Sequence, residues 1–153
     1  MDYWNKKIIR DQLDKKLVTL KAFSASATPK QGWIKTIREA LGLSSAQLGK
    51  KAGIDQSRIS RLEAAEKDGN IRLASLQKIA AGLKMKFVYG FVPEESLESM
   101  AREQAKKIAS KRLASMEHTM KLERQGLSSE EQAKALNDMI QKILIDPPKD
   151  FWD

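Results

Sequence analysis

Leu43-Ser-Ser-Ala-Gln-Leu-Gly-Lys-Lys-Ala-Gly53-Ile-Asp-Gln-Ser-Arg-Ile-Ser-Arg-Leu-Glu63 reads as two short helices joined by a glycine-containing turn. Leu48, Ala52, Ile54, Ile59 and Leu62 supply apolar pins between the two helices, and Gly49 is small enough for a close approach. Ser44 or Ser45 is placed to cap the first helix, and Asp55 to accept from the open amides of the second. The second helix then keeps Gln56, Ser57, Arg58, Ser60 and Arg61 on faces that this packing does not need. Gln pairs bidentately with adenine, Arg with guanine, and Ser with several acceptors, an inventory that suits readout of base edges in a major groove.

Working outward, Trp33-Ile34, Ile37 and Leu41 mark a helix that ends at Gly42, and Trp33 is expected in the core. After a polar loop at 66–70, Leu73, Leu76, Ile79, Ala80 and Leu83 mark another. Before this block, Tyr3 to about Lys21 predicts an amphipathic helix with Ile9, Leu13, Leu17 and Leu20 on one face, followed by a linker that ends at Pro29. After it, Phe87, Tyr89 and Phe91 alternate with Val88, Gly90 and Val92. That alternation predicts one short strand over 85–92, closed by Pro93 and in need of a partner. Leu97, Ala101, Ala105, Ile108, Leu113, Met116 and Met120 predict a long helix ending at Gly126. A last helix opens at Ser128 or Ser129 and turns Leu136, Ile140, Ile143 and Leu144 inward. The expected organisation is a helix and linker over 1–31, the central block with its strand over 32–92, a helical extension over 93–146 and a tail over 147–153.

The positive charge sits in the first part of the chain. Residues 1–31 carry a net +4, residues 32–92 a net +6 and residues 93–153 a net −2. A localised basic surface fits a polyanionic partner, because neutralised phosphates release counterions. Lys50, Lys51, Arg58 and Arg72 are the candidates for attraction to a DNA backbone. With no Cys and His118 as the lone histidine, disulfides, thiolate nucleophiles and multi-histidine metal sites are excluded within one chain. No Gly-rich phosphate loop occurs and no apolar run approaches a membrane span, so the expectation is a cytoplasmic protein without signal peptide, cofactor or catalytic role. Arg102, Lys106, Lys107, Lys111 and Arg112 form a second basic cluster, read equally as DNA-backbone contacts or as a solvated face. Phe151-Trp152 reads as a partner anchor, a degradation signal or a tail that folds back on the core.

Residues 33–83 resemble the Cro/cI-type (lambda-repressor-like) helix-turn-helix domain of phage repressors. Gly53 stands at that family's turn glycine, and Ile54, Ile59 and Leu62 at its core positions. The resemblance implies base contact by Gln56, Ser57 and Arg61, and a structural ion pair between Arg38 and Glu63. Ser45 stands where the family usually has a phosphate-contacting Gln, and Gly49 replaces its usual Ala. The implied fold is all-α, with N- and C-terminal helical extensions and the one strand. It implies double-stranded DNA as partner and a homodimer on a palindromic operator, joined through the strand, the long helix or both.

Gln12-Leu-Asp-Lys-Lys-Leu17, Gly32-Trp-Ile-Lys-Thr-Ile-Arg38, Arg61-Leu-Glu-Ala-Ala-Glu66 and Phe87-Val-Tyr-Gly-Phe-Val-Pro93 together resemble the family named mobile mystery protein A. Its members are helix-turn-helix proteins of mobile elements, usually encoded beside a Fic-domain protein, and Fic domains typically transfer AMP from ATP to target proteins. This resemblance implies the autorepressing antitoxin-type half of such a pair. The alternatives are an inhibitory binding protein of the Fic-type toxin, with DNA binding secondary, and a phage-type repressor with no toxin partner. Ser99-Met-Ala-Arg-Glu103-Gln104 and Thr119-Met-Lys-Leu-Glu123-Arg124 partly match the helix by which Fic inhibitors obstruct ATP. Both lack its final Gly or Asn. Glu103 stands as a candidate for toxin inhibition against the plainer reading of a solvated helix charge.

Overall fold

The computed structural model describes residues 1–26, 28–120 and 128–153, except the side chains of 117–120. Seven helices occur among the described residues: α1 (Tyr3–Ser24), α2 (Trp33–Ala40), α3 (Ser45–Ala52), α4 (Gln56–Lys67), α5 (Leu73–Gly82), α6 (Leu97–Met120) and α7 (Ser129–Ile145). They fall into two compact units. One comprises Met1–Ala22 with Phe91–Asp153, and the other Phe23–Gly90.

The second unit is built on a small, fully apolar core. Ile34 of α2, Leu48 of α3, Ile59 of α4 and Ile79 of α5 are buried, and Ile54, Leu62, Ile71, Leu76 and Leu83 pack around them. The core helices are short, so their stability comes from burying one face rather than from helix propensity. The backbones of α3 and α5 approach closely: a Cβ added at Gly82 would lie 2.7 Å from Ala52 Cα. Trp33, expected in the core, is 38% exposed. Its ring instead stacks on Phe23 with centroids 6.1 Å apart, because Ile34 is the residue of α2 that points inward.

The first unit packs α6 against α7. Ala101, Ala105 and Ala109 recur every four residues along α6 and lie buried against Ile140, Ile143, Leu144 and Phe151. Small side chains at that spacing form one stripe on which bulkier residues of α7 seat. Ser128 caps α7 by accepting from the Glu131 amide at 3.2 Å. Phe151 folds back into this core at 9% exposure, while the adjoining Trp152 stays 64% exposed. Gln104 Nε2 holds the turn by donating to the Phe151 carbonyl at 2.6 Å.

The placement of α1 follows its hydrophobic pattern only in part: Leu17 and Leu20 are half-buried. No residue of α1 is buried, and Ile9 and Leu13 are 42% and 40% exposed. Tyr3 packs against the core of the unit, and polar side chains of the helix make directed contacts to α6. Asp14 accepts from the first amides of α6, Leu97 N–H at 2.8 Å and Glu98 N–H at 3.2 Å. Arg10 Nε donates to Glu98 at 2.7 Å. A carboxylate against open helix amides satisfies donors that have no partner within the helix, which is a directed interaction that an apolar stripe cannot offer.

The expected strand over 85–92 is absent; there is no strand among the described residues. Lys84 leaves α5 in left-handed backbone, φ 57°, and the Met85 amide still donates backwards to Ala80 at 2.8 Å. Beyond it, Phe87 and Tyr89 stack with centroids 5.9 Å apart, so residues two apart share a side as in an extended chain. The alternation was there to be read, but a strand also needs a hydrogen-bonded neighbour, and no described segment supplies one. The expected end of the long helix at Gly126, and Glu123, lie outside the described residues.

Candidate nucleic-acid interface

The interface is assembled on α3, the turn after it, and α4. Ser44 opens α3 with a reciprocal cap: its hydroxyl accepts from the Gln47 amide at 3.1 Å, and Gln47 Oε1 accepts from the Ser44 amide at 2.8 Å. Gly53 closes α3 in left-handed backbone, φ 67° and ψ 38°, a conformation that a residue with a Cβ rarely adopts. The Ile54 amide then donates to the Gly49 carbonyl at 2.8 Å. A Cβ at Gly49 would collide with the Ile54 carbonyl oxygen, so the turn is tighter than the usual alanine would allow. Asp55 stands at the N-cap of α4, yet its carboxylate makes no capping bond, contrary to expectation.

Two carboxylates on the inner side of α4 fix α2. Glu63 accepts from Arg38 Nε at 2.6 Å and Nη2 at 3.1 Å, while Arg38 Nη1 donates to the Leu43 carbonyl at 3.0 Å. The side chains are only 14% and 10% exposed. The hydrogen bond that Arg38 donates to Glu63 holds its guanidinium above its already high ordinary value, so Arg38 is charged throughout the accessible pH range. The ion pair inferred from the family resemblance is therefore present. Glu66 adds a contact that the sequence reading missed. It accepts from the Trp33 amide at 2.7 Å and the Ile34 amide at 2.9 Å, capping α2 from 32 and 33 residues away. Its position one turn after Glu63 was the available signal, obscured by assigning residues 66–70 to a loop, whereas α4 continues to Lys67.

With its inner side so occupied, α4 leaves Gln56, Ser57, Arg58, Ser60 and Arg61 exposed. At 3.6 residues per turn, Ser57 and Arg61 share one face with Ser60 beside them, and Ile59, Leu62 and Glu63 occupy the opposite side. Ser60 thus joins the candidate base-reading stripe. Gln56 lies at the N-terminal end of the same helix, and Arg58 on its flank. Lys50 and Lys51 are exposed in the last turn of α3, and Arg72 is exposed at the start of α5. Ser45 is half-buried in the first turn of α3. Lys50, Lys51, Arg58, Arg61 and Arg72 form no ion pair among the described residues. Their charge is available to an external anion.

Glu103 lies exposed on α6, in the other unit, and Ser99, four residues before it, donates to Glu95 at 2.5 Å rather than to Glu103. In the second basic cluster, Arg102 donates to Asn137 of α7 at 3.1 Å.

Residues 34–89 match the protein family described as Helix-turn-helix, and the match lies wholly within the second unit. The fold, the tight turn at Gly53 and the exposed polar face of α4 define a DNA-binding domain of the kind carried by sequence-specific regulators. No curated protein and no solved structure matches the chain significantly. No helix of the described residues is long and apolar enough to cross a membrane.

Proposed function

We propose that the chain is a transcriptional autorepressor of the antitoxin type, working in the cytoplasm without catalysis of its own and binding a palindromic operator as a homodimer. The observation that carries this reading is the face of α4. Gln56, Ser57, Ser60 and Arg61 are exposed together on a helix whose other side is pinned by Ile59, Glu63 and Glu66. Gln56, Ser57 and Arg61 read base edges, and Lys50, Lys51, Arg58 and Arg72 supply backbone attraction, with Ser45 a lesser phosphate contact. A twofold protein on a palindrome presents two such helices to half-sites about 34 Å apart, and occupancy of the promoter blocks polymerase. The resemblance to mobile mystery protein A supports a Fic-domain partner encoded alongside, with Glu103 the candidate contact for restraining it.

Fluorescence anisotropy on the upstream DNA and on a shuffled duplex, at two salt concentrations, tests the reading. A preference for the upstream DNA that survives higher salt is expected; equal and salt-sensitive binding to both would overturn it. Gln56→Ala is expected to cost about 1–3 kcal/mol on the operator and to relax preference at one base position. Lys51→Ala is expected to weaken both duplexes alike and to reduce the slope of log affinity against log salt by about 1.

A further inference from the structure

The strand-like alternation at 85–92 is the strongest sequence signal that the fold leaves unused. The amides of residues 86–92 make no backbone hydrogen bond among the described residues. Three of the side chains that favour strands are turned to solvent, Val88 64% exposed, Tyr89 65% and Phe91 86%, while Phe87 is half-buried. Open donors and acceptors beside a row of apolar side chains form a template for another strand. The segment carries no charge between Lys86 and Glu94.

We propose that this segment pairs antiparallel with the same segment of a second copy, forming a two-stranded ribbon with Gly90 opposite Gly90 of the partner subunit. The proposal rests on the homodimer of the preceding section and names the segment and register that build it. Three features of the sequence select the register. Lys86 comes opposite Glu94 of the partner subunit at both ends of the ribbon, so each end is charge-paired. The aromatic residues share one face, with Tyr89 opposite Phe91 of the partner subunit, while Val88 meets Val92 of the partner subunit on the other. A shift of one residue would set aromatic faces against valine faces, and a shift of two would leave Lys86 facing Val92 or Ser96. Finally, paired positions alternate between hydrogen-bonded and non-hydrogen-bonded. If Gly90, Val88 and Val92 take the bonded positions, Pro93 falls at a non-bonded one, where its missing N–H is not required. Because the ribbon continues directly from α5, it ties two copies of the DNA-binding unit together.

The test uses the full chain without DNA. Sedimentation is expected to show a dimer at tens of micromolar, and Phe91→Lys a monomer that still unfolds cooperatively but has lost the concentration dependence of its melting temperature, since Phe91 is 86% exposed within its own chain. The protein has no cysteine, so Gly90→Cys gives a single reactive site. A short thiol-reactive cross-linker is expected to join two Gly90→Cys chains and to leave Gln77→Cys chains on α5 unjoined. Lys86→Glu and Glu94→Lys are each expected to weaken the dimer about three- to tenfold, and the double reversal to restore it. A monomeric wild type, or a dimer that Gly90→Cys does not cross-link, overturns the ribbon; a double reversal that restores nothing overturns the register. Operator binding is read separately by anisotropy. A monomer that selects the operator removes the ribbon but not the DNA reading, and a cross-linked dimer without DNA preference does the reverse.

Discussion

Glu63→Ala is expected to destabilise the DNA-binding unit by about 3–5 kcal/mol, the cost of leaving one member of a desolvated ion pair alone. Arg38, only 14% exposed in the intact pair, would keep its bond to the Leu43 carbonyl and lose the carboxylate that answers its charge. A loss of that size approaches the whole stability of a small domain, so chemical denaturation should show much of the unit unfolded at room temperature. The paired replacement Arg38→Met with Glu63→Leu is expected to recover most of the loss, because it removes both buried charges. If Glu63→Ala alone proves nearly neutral, the pair is more solvated than its geometry implies. The sign of the pH effect follows from the raised value of Arg38. Stability that depends on a protonated group with a raised value is fully present below its ordinary value and is lost only above it. Deprotonation of Arg38 therefore contributes no loss from neutral pH through the moderately alkaline range.

Ile59→Ala is expected to cost about 2–5 kcal/mol through lost burial and the cavity left behind. Ile59 is fully buried, on the inner side of the helix that presents Gln56, Ser57 and Arg61. For a unit of this size each kcal/mol lowers the melting temperature by about 4–8 °C, so calorimetry should find a drop of roughly 8–40 °C. Ile59→Val removes one methylene and is expected to cost only about 0.5–1.5 kcal/mol. At temperatures where both variants are folded, the order of preference among operator duplexes should be unchanged, since neither touches the reading face. A changed preference with little change in melting temperature would mean that Ile59 acts on DNA rather than on the core.

The features legible in the sequence are local ones. The turn at Gly53 and the cap at Ser44 each depend on residues within one helical turn, and the inward set of α7 on a single 3.6-residue period. The exposed face of α4 followed from the same period, once Ile59 and Leu62 marked its inner side. The Arg38–Glu63 pair, 25 residues apart, was found only because a family resemblance brought the two positions together.

What the sequence determined by itself was the order of helices, the turn that joins α3 to α4, and the residue types offered to a polyanion. Only the tertiary structure decided which partners satisfy groups far apart in the chain. Glu66 caps α2 across some thirty residues, and Asp14 caps α6 across more than eighty. The first lay inside a stretch read as loop, and the second on a helix more than eighty residues before the amides it caps. The same holds for α1, whose apolar stripe is half-buried at Leu17 and Leu20 but exposed at Ile9 and Leu13, while Arg10 and Asp14 reach α6. The physical reason is common to these cases. Periodicity states which residues share a face, but whether that face is buried, capped or left open depends on what the rest of the chain brings opposite it. At 85–92 the alternation was present, and no described part of the chain was available to complete it.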